Sequence, residues 1–416
     1  MAKINFKYVW WYYPALFAVC FIQALGVTPY KLPSEGLPMW PFRLFMFYIG
    51  VDAFLRNRNK CKPMTNYLVY SLLSIFIVLI LGIPISLYFM AVAFYIIPIL
   101  FFYVGLDNRD CSNNFYKYTF WGIIVMFLIG MYLYIMPPGW YQQACVLRWE
   151  SNWYYEGLST DFDYLAENMR FQSFMLSSYS TQYYGLFAMA FSMYCLLKAQ
   201  NSRDKIIFTC TSALVLIVLV LSMQRAGIMS ALAMVIVFYF VDRKKRKNTN
   251  ILILTIGICA TILFVYLAAS DVGAMLIERL SSMNMGALDE RTSQTTGALQ
   301  SFNNAILGTG IGTGGTGAKR AGLPSVADAN YTKIFMEQGI VGCILFATFI
   351  FSTGRRILKY FKVYAAEGAF MASILVCMIG SNTLDFSLYI PPFWYAMGRV
   401  WNKDYLKQQI NNQDHI

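Results

Sequence analysis

The sequence predicts an all-α polytopic membrane protein of about twelve transmembrane helices, with two large loops on one side. Three observations predict it. Of 416 residues, 58% are hydrophobic and 13% charged, where soluble domains run near 45–50% apolar and about 25% charged. The apolar residues come in continuous runs of about 20, the length a helix needs to cross a bilayer. They do not alternate as the strands of an outer-membrane barrel do. Lys and Arg gather in alternate short loops, the bias of cytoplasmic segments. Together these exclude a soluble enzyme, a secreted disulfide scaffold and a disordered chain.

The runs fall at 9–28, 38–55, 66–83, 86–105, 118–136, 181–198, 206–223, 226–241, 251–269, 334–352, 363–381 and 386–401. The third and fourth turn through Gly82-Ile83-Pro84 as a tight hairpin, and the seventh and eighth through Met223-Gln224-Arg225-Ala226-Gly227. The basic clusters at 56–62, 243–247 and 355–356 fall on one side, with both termini. Twelve crossings give that side a net charge of +15 and the other −3, within a total of +12. The +15 side is read as cytoplasmic, and the charge as topology, not nucleic-acid binding. One integral membrane domain spans 1–416; no signal peptide or repeat is expected.

The nine cysteines lie mostly inside apolar runs without CxxC spacing, so neither a disulfide nor a metal site is expected. The only histidine is His415, which removes a histidine base from the body of the chain. No cofactor is expected.

The ten basic residues of the outer side are seven Arg and three Lys, against nine Arg and fourteen Lys inside. A planar guanidinium grips phosphate through two bonds, and an ammonium does not, so the outer surface leans towards anion binding. The long outer loops are 137–180 and 270–333. The first holds an aromatic and acidic cluster with Trp149 and Trp153, which suits either a sugar surface or an interfacial belt. Arg170 closes it.

Arg225, in a short turn between apolar helices, either serves a site or snorkels to the surface. Arg279 and Arg291 flank a polar segment and either hold a diphosphate between them or pair locally with Glu278 and Glu290. The Gly-rich stretch 308–315 lacks the Lys-Ser/Thr of a nucleotide loop and points to a tight turn or a close backbone approach. Arg320 follows it. Asp328, three residues before Tyr331, either caps the next helix or does chemistry. Glu337 and Asp52 sit inside apolar helices, where an acid is functional or ion-paired. Glu337 has Lys333 one turn earlier, and Asp385 has no clear partner.

The stretch Arg291, Ala298, Phe302, Leu307-Gly308-Thr309-Gly310-Ile311-Gly312, Asp328-Ala329-Asn330-Tyr331 and Glu337-Gln338-Gly339-Ile340-Val341-Gly342 resembles the signature of the O-antigen polymerase and O-antigen ligase superfamily. Arg170 with Gly185, and Arg225-Ala226-Gly227, resemble two further features of that family, so the likeness covers roughly 165–345. Ligases carry a histidine where this chain has Asp328, so the chain resembles the polymerase (Wzy-type) branch.

The resemblance implies a GT-C-like bundle in the bacterial inner membrane with both long loops periplasmic. It implies an enzyme that joins oligosaccharide repeats carried on undecaprenyl diphosphate. An acceptor hydroxyl attacks the anomeric carbon and undecaprenyl diphosphate leaves. In that reading Arg225, Arg279, Arg291 and Arg170 hold the diphosphate. Asp328, then Glu337, is the candidate base, and Tyr331, Arg320, Trp149 and Trp153 meet sugar. The partners implied are the lipid-linked oligosaccharide, membrane lipid and, by family analogy, a chain-length regulator. The alternatives are an O-antigen ligase, a peptidoglycan polymerase of the shape–elongation–division type, whose signature is not seen, and a lipid-linked oligosaccharide flippase. The long outer loops and the unlike halves of the chain argue against the flippase.

Overall fold

The computed structural model describes residues 6–25, 39–80, 91–109, 111–152, 170–222, 224–241, 305–314, 329–385 and 388–414. Among them every regular element is helical. The expected ninth run at 251–269, the Gly82-Ile83-Pro84 turn and most of loop 270–333 lie outside the described residues, as does 153–169 of the first loop. A helix stands at each of the other apolar runs. Among the described residues four helical stretches are long and apolar enough to cross a membrane: Phe6–Leu25, Asn114–Ile135, Ser202–Leu221 and Asn330–Lys359. Shorter apolar helices accompany them. The chain is a membrane protein.

The chain divides into two compact units. The first takes Met1–Phe42 and Ser112–Ser282. It holds α1 (Tyr12–Leu25), α5 (Asn114–Ile135), α6 (Gly139–Asn152), α7 (Ser178–Lys198), α8 (Ser202–Leu221) and α9 (Arg225–Val241). α7 is buried on nearly every face. Ser177 caps its start, accepting a bond from the backbone N–H of Ser180 at 3.3 Å. A cap at a buried helix start matters because the first N–H groups have no partner within the helix. α7 and α8 form an antiparallel hairpin. It closes where Gly185 meets the Leu219 side chain, and Ser192 and Ser212 share a buried hydroxyl bond at 2.9 Å. Tyr13 and Phe17 of α1 pack edge-on against Tyr184.

The second unit takes Arg43–Cys111 and Met283–Ile416. Its helices are most of α2 (Trp40–Asn57), then α3 (Lys62–Ile80), α4 (Ile97–Leu106), α10 (Asn330–Lys359), α11 (Ala365–Cys377), α12 (Pro391–Trp401) and α13 (Lys403–Asp414). A π turn, Val92–Ile96, runs into α4 just before Pro98, whose missing N–H breaks the ordinary helical bond pattern there. α4 and α12 are buried on all sides and touch backbone to backbone. A Cβ on Gly105 would lie 2.1 Å from the Tyr395 carbonyl oxygen, and one on Gly398 would lie 1.9 Å from that of Phe102. Small residues at a crossing let apolar helices approach this closely.

α10 is the longest helix among the described residues and is broken. At Gly339 the backbone turns to φ 62°, ψ −167° and helical geometry resumes afterwards. That break organises the candidate site.

Candidate functional site

In an unbroken helix the N–H groups of residues 340 and 341 would bond the carbonyls of 336 and 337. Here both pairs are divided, and a neighbouring loop takes each half. Ile340 donates to Ala305 O at 2.9 Å and Val341 to Ile306 O at 3.3 Å. The freed carbonyls of Met336 and Glu337 accept from the backbone of Thr309 at 2.9 Å and Gly310 at 2.8 Å. The Thr309 hydroxyl adds a second bond to Met336 O at 3.1 Å. Tyr70 of α3 donates its hydroxyl to Gln338 O at 2.8 Å and Leu307 O at 3.1 Å, and so holds both partners. All four groups of the two divided pairs find new partners, the condition for irregular backbone inside an apolar protein.

The glycines explain themselves at this junction. Gly308, at φ 81°, has no room for a Cβ, which would sit 2.4 Å from the Glu337 carbonyl group. Gly339 is the reciprocal case: a Cβ there would lie 2.2 Å from Ile306 O. Gly310 and Gly312 also take positive φ, at 95° and 93°. The Gly-x-Gly turn and the Glu-x-Gly of the helix are two halves of one joint.

Side chains continue it. Glu337 turns its carboxylate towards the loop, and Oε1 accepts from the backbone N–H of Gly312 at 3.0 Å and of Gly314 at 2.9 Å. Lys333, one turn earlier on α10, brings its ammonium to 3.5 Å from the same oxygen. The other partner of Lys333 is Asp385, across 52 residues of sequence. Glu337 and Lys333 are buried. Buried charges are tolerated when paired and hydrogen-bonded in this way. Gln338 is also buried, and its amide reaches the hydroxyl of Tyr95 at 2.8 Å. Tyr95 is in turn bonded to Tyr67.

The start of α10 is seated on the end of α11. Asn330 donates its backbone N–H to Met378 O at 3.0 Å, and the Tyr331 hydroxyl bonds Leu375 O at 2.8 Å. Both carbonyls belong to the last turn of α11 and its cap, which have no partners inside that helix. The Asn330 side chain reaches the loop before α12, where its Oδ1 accepts from Leu384 N at 2.8 Å.

In the first unit, Phe171 donates its backbone N–H to Leu221 O at 2.9 Å. Arg170 is therefore carried to the α8–α9 turn, where Arg225 opens α9 and is exposed. Gln224 donates to the Ser178 hydroxyl at 2.8 Å, and Gly227 lets α9 press on Gln182. Gln224 and Gly227 thus build the turn, and two arginines 55 positions apart in sequence share one end of this unit.

Of the other residues singled out from sequence, Arg279, Arg291, Arg320, Asp328 and Trp153 lie outside the described residues, and Trp149 falls in α6. Asp52 is ion-paired with Arg56 one turn on and with Arg109 at 3.2 Å, which is the structural alternative for that acid. Asp385, left without a partner by sequence, is bound to Lys333. Sequence reasoning gave no role to Asn330 and Gln338, which it met only within the family-like motif, and missed Tyr70, whose only signal was polarity beside an apolar run.

Residues 210–347 match a family model, Wzy_C, described as O-antigen ligase. The match begins in α8 and ends in α10, so it takes in the Arg225 turn and both the loop and the helix break of the joint, though not Tyr70 or Asp385. No curated protein matches the chain. Over about a third of its length, then, this membrane protein is similar to the O-antigen ligase family, which supports the O-antigen polymerase and ligase superfamily as its kin.

Proposed function

We propose that the protein polymerises oligosaccharide repeats carried on undecaprenyl diphosphate, at the periplasmic face of the bacterial inner membrane. The observation that carries the reading is the joint between the Gly308–Gly312 turn and the Glu337–Gly339 break, inside the segment that matches the family model. Transporters and lipid-handling proteins keep broken helices where the backbone lines a site, since lipid-facing backbone cannot be left unbonded. Asp328 in place of the ligase histidine, with His415 the only histidine in the chain, favours polymerase over ligase.

The chemistry asks for two things. Negative charge builds on the departing diphosphate, and preorganised guanidinium groups stabilise it. Arg225 and Arg170, at one end of the first unit, are suited to this in residue type, as are Arg279 and Arg291. The attacking hydroxyl must lose a proton as the new C1–O bond forms, and Asp328 is the group we assign to accept it. Glu337 fits a different role from the base it was also considered for. Its carboxylate holds two loop N–H groups and the Lys333 ammonium, which suits a residue that fixes the loop. Tyr331, with its ring exposed and its hydroxyl bonded, Arg320, Trp149 and Trp153 are assigned to sugar contacts.

Deleting the gene and resolving the surface polysaccharide on a gel tests the reading. Collapse of the ladder to core carrying a single repeat is expected, because export and ligation survive while extension stops. Loss of every repeat, with polymer left on its lipid in the periplasm, makes the protein a ligase, the reading that the description of the matched family favours.

A further inference from the structure

Lys333 has no part in the reading above, yet three segments of the second unit meet at it. The break at Gly339 divides two of the bonds that would tie the first turns of α10 to the rest of the helix. Those turns, 330–338, are therefore held by what lies beside them. On one side is the Gly-rich loop. A Cβ on Gly314 would lie 3.3 Å from Lys333 Cγ, so the Lys333 stem runs along that loop. Its ammonium stands 3.5 Å from the Glu337 oxygen that accepts from Gly312 N and Gly314 N. On the other side is the turn Thr383–Asp385, where the same ammonium binds Asp385. One side chain thus reaches both neighbours. The cluster sets one positive charge against two negative ones, with Lys333 and Glu337 buried. Stability alone does not ask for that, since apolar side chains of similar volume often serve a buried ionic cluster's place as well or better. What charged bonds add is fixed geometry.

We infer that Lys333 is a positioning residue for the lipid-linked repeat: it fixes the first turns of α10, and with them the exposed Tyr331 ring, against the Gly-rich loop. The inference rests on the polymerase reading above, which assigns Tyr331 to sugar. Lys333 is buried and touches no substrate. It acts through Glu337 on the loop and through Asp385 on the turn before α12. Tyr331 lies two residues before it, with its hydroxyl tied to Leu375 O and its ring exposed. A ring already held in place loses less freedom when a sugar packs on it, so the repeat binds more tightly. Without the Lys333 charge the first turns keep their backbone bonds to the loop but lose the link between their two neighbours, and the ordering cost returns at each binding event.

Losing Lys333 alone strands two carboxylates, so the test variant is neutral throughout. It combines Lys333→Met, Glu337→Gln and Asp385→Asn, which keep size and leave an oxygen for the Gly312 and Gly314 N–H groups. Purified full-length protein in vesicles is given undecaprenyl-diphosphate-linked repeats, and the rate of extension is followed against their concentration. Melting and backbone hydrogen exchange are read on the same samples. The neutral variant is expected to melt close to wild type and to raise KM roughly tenfold, the worth of one hydrogen bond. Its exchange should quicken at 330–338 and stay as in wild type at 343–357. A purely structural role instead lowers the folded fraction, and so the apparent kcat at unchanged KM. That result overturns the inference, as do wild-type exchange at 330–338 and a neutral variant that does not fold. Lys333→Arg alone keeps the charge and should stay nearer wild type in both readouts; impairment equal to that of the neutral variant overturns the inference too. If the wild type extends nothing, the polymerase reading falls, and the exchange comparison decides by itself whether Lys333 positions these turns.

Discussion

Among the described residues of the second unit, two ionic clusters stand in contrast. Asp52, Arg56, Asp107 and Arg109 form a balanced network, with Arg109 bridging Asp52 at 3.2 Å and Asp107 at 2.8 Å. The side chains of Arg56, Asp52 and Arg109 are 47%, 34% and 30% exposed. Lys333, Glu337 and Asp385 carry one positive and two negative groups, with the first two 6% and 1% exposed. The first cluster is neutral and solvated at three of its four members, Asp107 being the buried one, so the loss of an exposed member is softened by water. The second is unbalanced and buried at Lys333 and Glu337, with Asp385 22% exposed, and two backbone N–H groups complete Glu337, so its buried members depend on each other. Charge in an apolar chain is thus no single signal: the two clusters differ in charge balance and in how far most of their members are exposed.

The largest break in that contrast is Glu337→Ala. It strips two loop N–H groups and a buried ammonium of their acceptor, and breaking a buried pair in this way costs about 3–5 kcal/mol. Folded yield after detergent extraction should fall sharply, and wild-type yield and melting temperature would contradict the account. Next comes Gly339→Ala. Its φ of 62° with ψ of −167° lies in a region that is essentially glycine-only and costs a side chain about 1–3 kcal/mol, and the Cβ clash with Ile306 O adds to that. Gly139→Ala, with nothing within 4 Å of its Cβ, is the control and should melt as wild type does. If the two variants melt alike, the joint is not tight.

The smallest effect belongs to the exposed network. Asp52→Asn should cost no more than about 1 kcal/mol, and less still in high salt. A loss as large as that of Glu337→Ala, measured in the same melting assay, would erase the distinction between the clusters.

Much of the fold was legible because apolar runs of spanning length have few other uses. The Gly-rich stretch was legible as a close approach, since positive φ and absent Cβ leave a mark in composition. What it approaches was not. Gly308 meets Glu337 across 29 residues, and Tyr70 joins both from 237 residues before Leu307. Such contacts are set by helix packing, which no local pattern encodes. Asp385 was visible as an acid without a partner for the same reason: Lys333 lies 52 residues away. Asp52 went the other way, since its partner Arg56 sits one turn along and an i, i+4 pair is readable from spacing.

On the polymerase proposal this chain extends lipid-linked repeats by itself. Purified protein in vesicles, given only undecaprenyl-diphosphate-linked repeats, should build a ladder of lengthening chains and release undecaprenyl diphosphate for each bond made. No extension with repeats alone, and a single transfer once lipid A-core is added, would contradict it and make the protein a ligase.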